Sequence, residues 1–132
     1  MLFFYLGGET MKLKIGKKDY SFKFGTKFVR ELDKEFPVTS GGVDFGMGLS
    51  AKVLPELRSY NVNTLSQVLE LANRTEDKPI TLDELDDFID EAEDIEKLFN
   101  DVLKEISESN AGKLAARNLD QKLKEAEKQK AE

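Results

Sequence analysis

The chain has 132 residues, 39% of them hydrophobic, which suits one domain around one core. It contains no Cys and no His, so disulfides and thiol chemistry are excluded and the commonest general base and transition-metal ligand is missing. The formal net charge of -6 is uneven: residues 11–36 carry eight Lys/Arg against four Asp/Glu, and residues 76–108 three against fourteen. Such polarity suits self-association or a basic partner and disfavours binding nucleic acid phosphates through the acidic half.

No apolar run approaches the ~20 residues needed to cross a bilayer, so no membrane partner is expected. The opening Met1-Leu-Phe-Phe-Tyr-Leu6 lacks the basic start and small-residue cleavage pattern of a signal peptide. Residues 1–10 are expected to be a non-native or disordered leader. Gly7-Gly8-Glu9 can be encoded by a purine-rich ribosome-binding sequence, which would place the start of translation at Met11.

Leu13 and Ile15 alternate with Lys, and Tyr20, Phe22 and Phe24 alternate with polar residues. This period of two predicts a β-hairpin turning at Gly16-Lys17-Lys18-Asp19. Phe28, Val29, Leu32 and Phe36 then recur at helical spacing, with Thr26 available as N-cap and Pro37 as a stop, giving a helix over about 27–35. Val38 to Gly48 reads as a loop on its four glycines, and it lacks the Lys and Ser/Thr of a phosphate cradle.

Met47, Leu49, Val53, Leu54 and Leu57 predict a second helix, kinked or interrupted at Pro55. Thr64 and Gln67 form a capping-box pattern ahead of Leu65, Val68, Leu69 and Ala72, a third helix. The clearest start signal is Thr81-Leu-Asp-Glu84, with Ile80 and Leu85 placed as a hydrophobic staple. From Leu85 to Ile106 the apolar spacing predicts one long helix or two, with a break favoured near Glu93-Asp94. Beyond Asn110 the only large apolar residues are Leu114, Leu119 and Leu123.

The expected class is therefore α+β, mainly α: an N-terminal β-hairpin, about five helices, and a flexible or conditionally helical C-terminal tail. Residues 11–109 form the expected single globular domain and residues 110–132 the charged tail.

Asp83 to Asp94 invites a calcium reading, yet a calcium loop needs Gly at its sixth position, where Phe88 stands here. Its carboxylates have no apolar surroundings to raise a pKa for acid/base work. No catalytic, metal or cofactor-binding residue is assigned, no cofactor is expected, and the chain reads as a non-enzyme. What remains is apolar surface for a partner helix. The candidates are Phe45, Met47 and Leu49 among glycines, and Val102, Leu103 and Ile106 near the end of the last strongly amphipathic helix.

The order of segments is familiar: Lys14-Ile-Gly-Lys-Lys-Asp-Tyr-Ser-Phe-Lys-Phe-Gly25, Phe28-Val-Arg-Glu-Leu32, Val43-Asp-Phe-Gly-Met-Gly-Leu49, Glu93-Asp-Ile-Glu-Lys-Leu-Phe99 and Ser109-Asn110. Over about Met11 to Lys113 it resembles the tail assembly chaperones of long-tailed phages of Gram-positive bacteria. The resemblance implies a protein of the infected cell's cytoplasm, absent from the mature virion. It implies a protein that binds the tape measure protein and recruits tail tube subunits, and attraction between the basic hairpin end and the acidic helical end of adjacent copies would give a homo-oligomer. It also implies a short form and a frameshifted longer one, of which this chain is similar to the short. The competing reading is an acidic helical inhibitor that mimics nucleic acid.

Overall fold

A computed structural model describes residues 10–36, 39–40, 43–44 and 48–131. Strands β1 (Thr10–Ile15) and β2 (Lys18–Lys23) pair antiparallel with Met11 opposite Phe22, Leu13 opposite Tyr20 and Ile15 opposite Lys18. Only Gly16 and Lys17 lie between them. Gly16 takes φ +67° with no positive φ at Lys17, the pattern of a two-residue hairpin with glycine in its first loop position. Met11, Tyr20 and Phe22 are buried on one face, while Lys12 and Lys14 stay exposed.

Helix α1 (Thr26–Glu35) follows with Phe28 and Leu32 inward and the Phe24 and Phe28 rings edge to face at 5.2 Å. Thr26 does not cap it: Gly25 holds the extended cap position without a side-chain bond, and Thr26 is already helical. Within the predicted loop, β3 (Thr39–Ser40) and β4 (Val43–Asp44) form a minimal antiparallel pair.

The chain then enters a π-helical turn at Leu49–Val53 that continues into α2 (Leu54–Arg58). The Leu54 N–H reaches back five residues to the Leu49 carbonyl. The interruption expected at Pro55 takes this form, because proline lacks a donor and its ring crowds the carbonyl four residues earlier. Gly48 permits the approach to α1: a Cβ there would stand 2.7 Å from the Phe36 carbonyl oxygen and 2.9 Å from Leu32 Cδ2.

Between α2 and α3 (Val62–Asn73) the turn is tight. Asn61 N–H donates to Glu56 O at 3.0 Å and Tyr60 N–H to Leu57 O at 3.1 Å, the paired bonds of a Schellman motif. Its left-handed position usually holds glycine, but here Tyr60 takes φ 59°. Side-chain contacts offset that cost: its ring meets Phe99 edge to face at 5.3 Å, and its hydroxyl donates to Glu96 at 3.0 Å. Asn61 also caps α3, accepting from Thr64 N–H at 3.1 Å. The cap thus lies three residues before the predicted one, and Thr64 is buried with its hydroxyl donating to Glu56.

Asn73 ends α3 inside the protein. Its Nδ2 donates to Ser21 O at 3.0 Å and Lys78 O at 2.9 Å, and its Oδ1 accepts from Ile80 N–H at 2.8 Å. Helix α4 (Leu82–Asp90) then starts with the predicted capping box, Thr81 and Glu84 bonding reciprocally, and with both staple residues buried. The chain breaks where acidic residues crowd. Asp94 caps α5 (Ile95–Glu108) by accepting from Lys97 N–H at 3.0 Å.

The segment read as a charged tail is helix α6 (Asn110–Ala131). Ser109 makes the elbow, its Oγ accepting from Gly112 N–H at 3.0 Å and its hydroxyl donating to Ile106 O at 2.6 Å. A Cβ on Gly112 would stand 1.6 Å from that same carbonyl oxygen, so only glycine fits. Ala115, Ala116 and Leu119 pack on the core, and Arg58 of α2 pairs with Asp120 at 3.1 Å. Residues 121–129 are exposed. Leu119 and two alanines thus suffice to dock half of the helix, because the elbow delivers them onto a surface already formed.

Replacing Asn73 with Ala takes the hydrogen-bond partner from the Ser21 and Lys78 carbonyls and from the buried Ile80 amide. A loss of about 3 kcal/mol in urea unfolding is expected.

Candidate partner-binding surfaces

Of the six residues singled out for partner binding, Phe45 and Met47 lie outside the described residues. Val102 and Ile106 have no exposed surface; they hold α5 against the core, and α6 folds back beside them. Leu103 is half-buried and Leu49 is buried in the π-helical turn. The spacing that marked the α5 residues as a stripe was read correctly as apolar, but the neighbouring elements use that stripe for packing.

Leu49 nevertheless borders a shallow groove of about 240 Å³ between α1, the π-helical turn and α6. Val29, Ala111, Leu114 and Ala115 complete its apolar lining, with Leu114 65% exposed. Sequence reasoning missed Leu114, since its helix was read as an unpacked tail.

A second region runs along β1. Two adjoining grooves of about 710 and 380 Å³ share Lys97 and Asp101. One wall is β1 from Met11 to Ile15 with Gly16 of the turn, and the other is α4, α5 and the segment between them. The basic hairpin and the acidic helices, which the sequence places far apart, therefore face each other across one cleft. Fold topology corrects the two-ended charge distribution expected from the sequence.

Glu105 lines the narrower groove beside Met11, Lys12 and Leu13. It is 6% exposed, and its Oε2 has no hydrogen-bond partner among the described residues. Burial, aided by the charge of Glu108, pushes its carboxyl up from the usual 4.5 to about 7. The sequence signal was available: Leu98, Val102, Glu105 and Ser109 share one helical stripe, so a carboxylate stands where an apolar residue belongs. Among the described residues no group of three or more His, Cys, Asp or Glu could hold a metal ion, and no helix is long and apolar enough to cross a membrane.

Because the folded state holds the Glu105 proton more tightly than the unfolded chain, this group's contribution to stability falls as pH rises from 4.5 to about 7. Glu105→Gln is expected to gain on the order of 2 kcal/mol over the parent at pH 8 and almost nothing at pH 4, measured by urea unfolding at both.

Comparison with curated proteins and with solved structures gave no match. The profile of a family described as phage tail assembly chaperone protein, TAC, matches residues 12–121. That match spans the hairpin, the helical body and the packed half of α6, and an assembly chaperone family implies a non-catalytic role. The chain belongs to the phage tail assembly chaperone family.

Proposed function

We propose that this protein binds the tape measure protein and recruits tail tube subunits while the tail is built. It acts in the cytoplasm of an infected Gram-positive host and is absent from the finished virion. The observation that carries the reading is family membership over residues 12–121. The apolar groove of Leu49 and Leu114 supports it. A tape measure chain carries long apolar helical stripes that aggregate when exposed before assembly, and a groove lined by Val29, Leu49 and Leu114 suits such a stripe. Val102 and Ile106 are buried and play no part in this reading.

Self-association belongs to the same reading. Helix α1 exposes Lys27, Arg30 and Lys34 along one side, and α4 exposes Asp83, Asp87 and Asp90. Contact between these stripes on neighbouring copies brings opposite charges together. The alternative of an acidic mimic of nucleic acid is weaker, because Lys12 and Lys14 face the acidic helices across their groove.

Two measurements test this. Co-expression is expected to move a co-encoded tape measure protein into the soluble fraction, and Leu114→Asp to reduce the yield of the complex about tenfold while the variant itself stays folded. A tape measure protein equally insoluble with and without this chain contradicts the reading. Sedimentation is expected to show an oligomer at low salt that dissociates at about 0.5 M salt, where screening shortens the reach of surface charges to a few ångströms; a monomer under both conditions removes self-association.

A further inference from the structure

Among the described residues the two strands of the hairpin pair only with each other, which gives β1 an outer edge. A two-residue loop makes Ile15 and Lys18 the hydrogen-bonded pair that closes the turn. Alternation then makes Leu13 with Tyr20 and Met11 with Phe22 hydrogen-bonded, and leaves the backbone N–H and C=O groups of Thr10, Lys12 and Lys14 directed away from β2. Among the described residues, no backbone group from another element bonds to them. The two grooves described above lie along this edge, Met11 to Leu13 bordering one and Lys14 to Gly16 the other.

Charge and burial favour one kind of occupant. The acidic excess lies in the wider groove, six carboxylates against two lysines, while the narrower groove holds two carboxylates against three lysines, of which Lys97 is paired with Asp101 at 2.7 Å. In the narrower groove, Glu105 holds a buried carboxyl oxygen without a partner among the described residues. Such an acceptor is costly until a donor reaches it. We propose that the outer edge of β1 accepts an extended segment of a partner protein as a third strand, with alternate Lys or Arg side chains entering the acidic groove and one reaching Glu105.

The register sets the pattern of that segment. Side chains of a strand alternate between faces, so those beside Met11, Leu13 and Ile15 enter the groove and carry the cations. Those beside Lys12 and Lys14 lie on the outer face and must be polar or acidic, because like charges directly opposite one another repel. An amphipathic helix offers no backbone groups to the edge and does not satisfy it. This surface is distinct from the apolar groove at Leu114, and the inference stands whether or not that groove holds a tape measure helix.

The test uses the full chain and a capped peptide, Thr-Lys-Thr-Lys-Thr-Lys-Thr, with amide hydrogen exchange read by NMR. At saturating peptide the Lys12 and Lys14 amides are expected to exchange at least about tenfold more slowly. Glu105→Gln is expected to weaken the peptide about tenfold, the effect of one charge-assisted hydrogen bond. Lys12→Pro, which removes an outward N–H but no bond to β2, is expected to abolish binding while the circular dichroism spectrum is retained. Equal binding of a Thr-Glu peptide, or peptide binding without slowing at Lys12 and Lys14, overturns the proposal. Slowing of those amides with rising protein concentration alone assigns the edge to a second copy and also overturns it.

Discussion

Asn73 gives its whole carboxamide to backbone: two donors to the carbonyls of Ser21 and Lys78, and one acceptor site to the amide of Ile80. Among the described residues no other buried side chain bonds to as many backbone groups. Through it the second strand of the hairpin, the end of α3 and the residue before the α4 cap are fixed relative to one another. A buried amide in this position is tolerated because three of its four hydrogen bonds are made, whereas a side chain with fewer donors would leave backbone groups dry and unpaired. The hairpin is therefore docked in one register, and the open edge of β1 is turned towards α4 and α5. Arg74, the next residue, adds a surface tie by meeting Glu31 and Glu35 of α1 at 3.6 and 3.5 Å.

Local chemistry was legible in the sequence and long-range placement was not. The hairpin, α1, the capping box at Thr81 and the break before Asp94 each depend on residues within a few positions of one another, and period and cap reading recovered them. The α3 cap was misplaced to Thr64 because Asn61 serves two motifs at once, closing α2 and opening α3, and a single-motif reading assigns it neither. The roles of Asn73 and Glu105 depend on elements that meet them from elsewhere in the chain. For Asn73 no local pattern marks a buried amide. For Glu105 the pattern was present as a carboxylate within an apolar stripe, but a stripe does not reveal which neighbour closes over it.

Of the surface residues proposed from sequence, Leu49 lies at the apolar groove, whereas Val102 and Ile106 are packed away. The difference follows from the elbow at Ser109 and Gly112, which turns α6 back along the body. Apolar residues on α5 that would face solvent at the end of an isolated helix become interior, and exposed apolar surface appears instead on α6 at Leu114. The two surface regions differ in chemistry, one apolar at Leu49 and Leu114 and one charged along β1.

The π-helical turn at Leu49–Val53 has a geometric effect beyond its accommodation of Pro55. An additional residue in one turn rotates everything before it by roughly 100° about the helix axis relative to a regular helix. Leu49, at the start of the turn, is thereby re-aimed and borders α1 and α6 together. Shape at this corner is thus encoded by an imino acid six residues downstream, and restoring ordinary helical winding would shift the groove's floor without altering any residue that lines it.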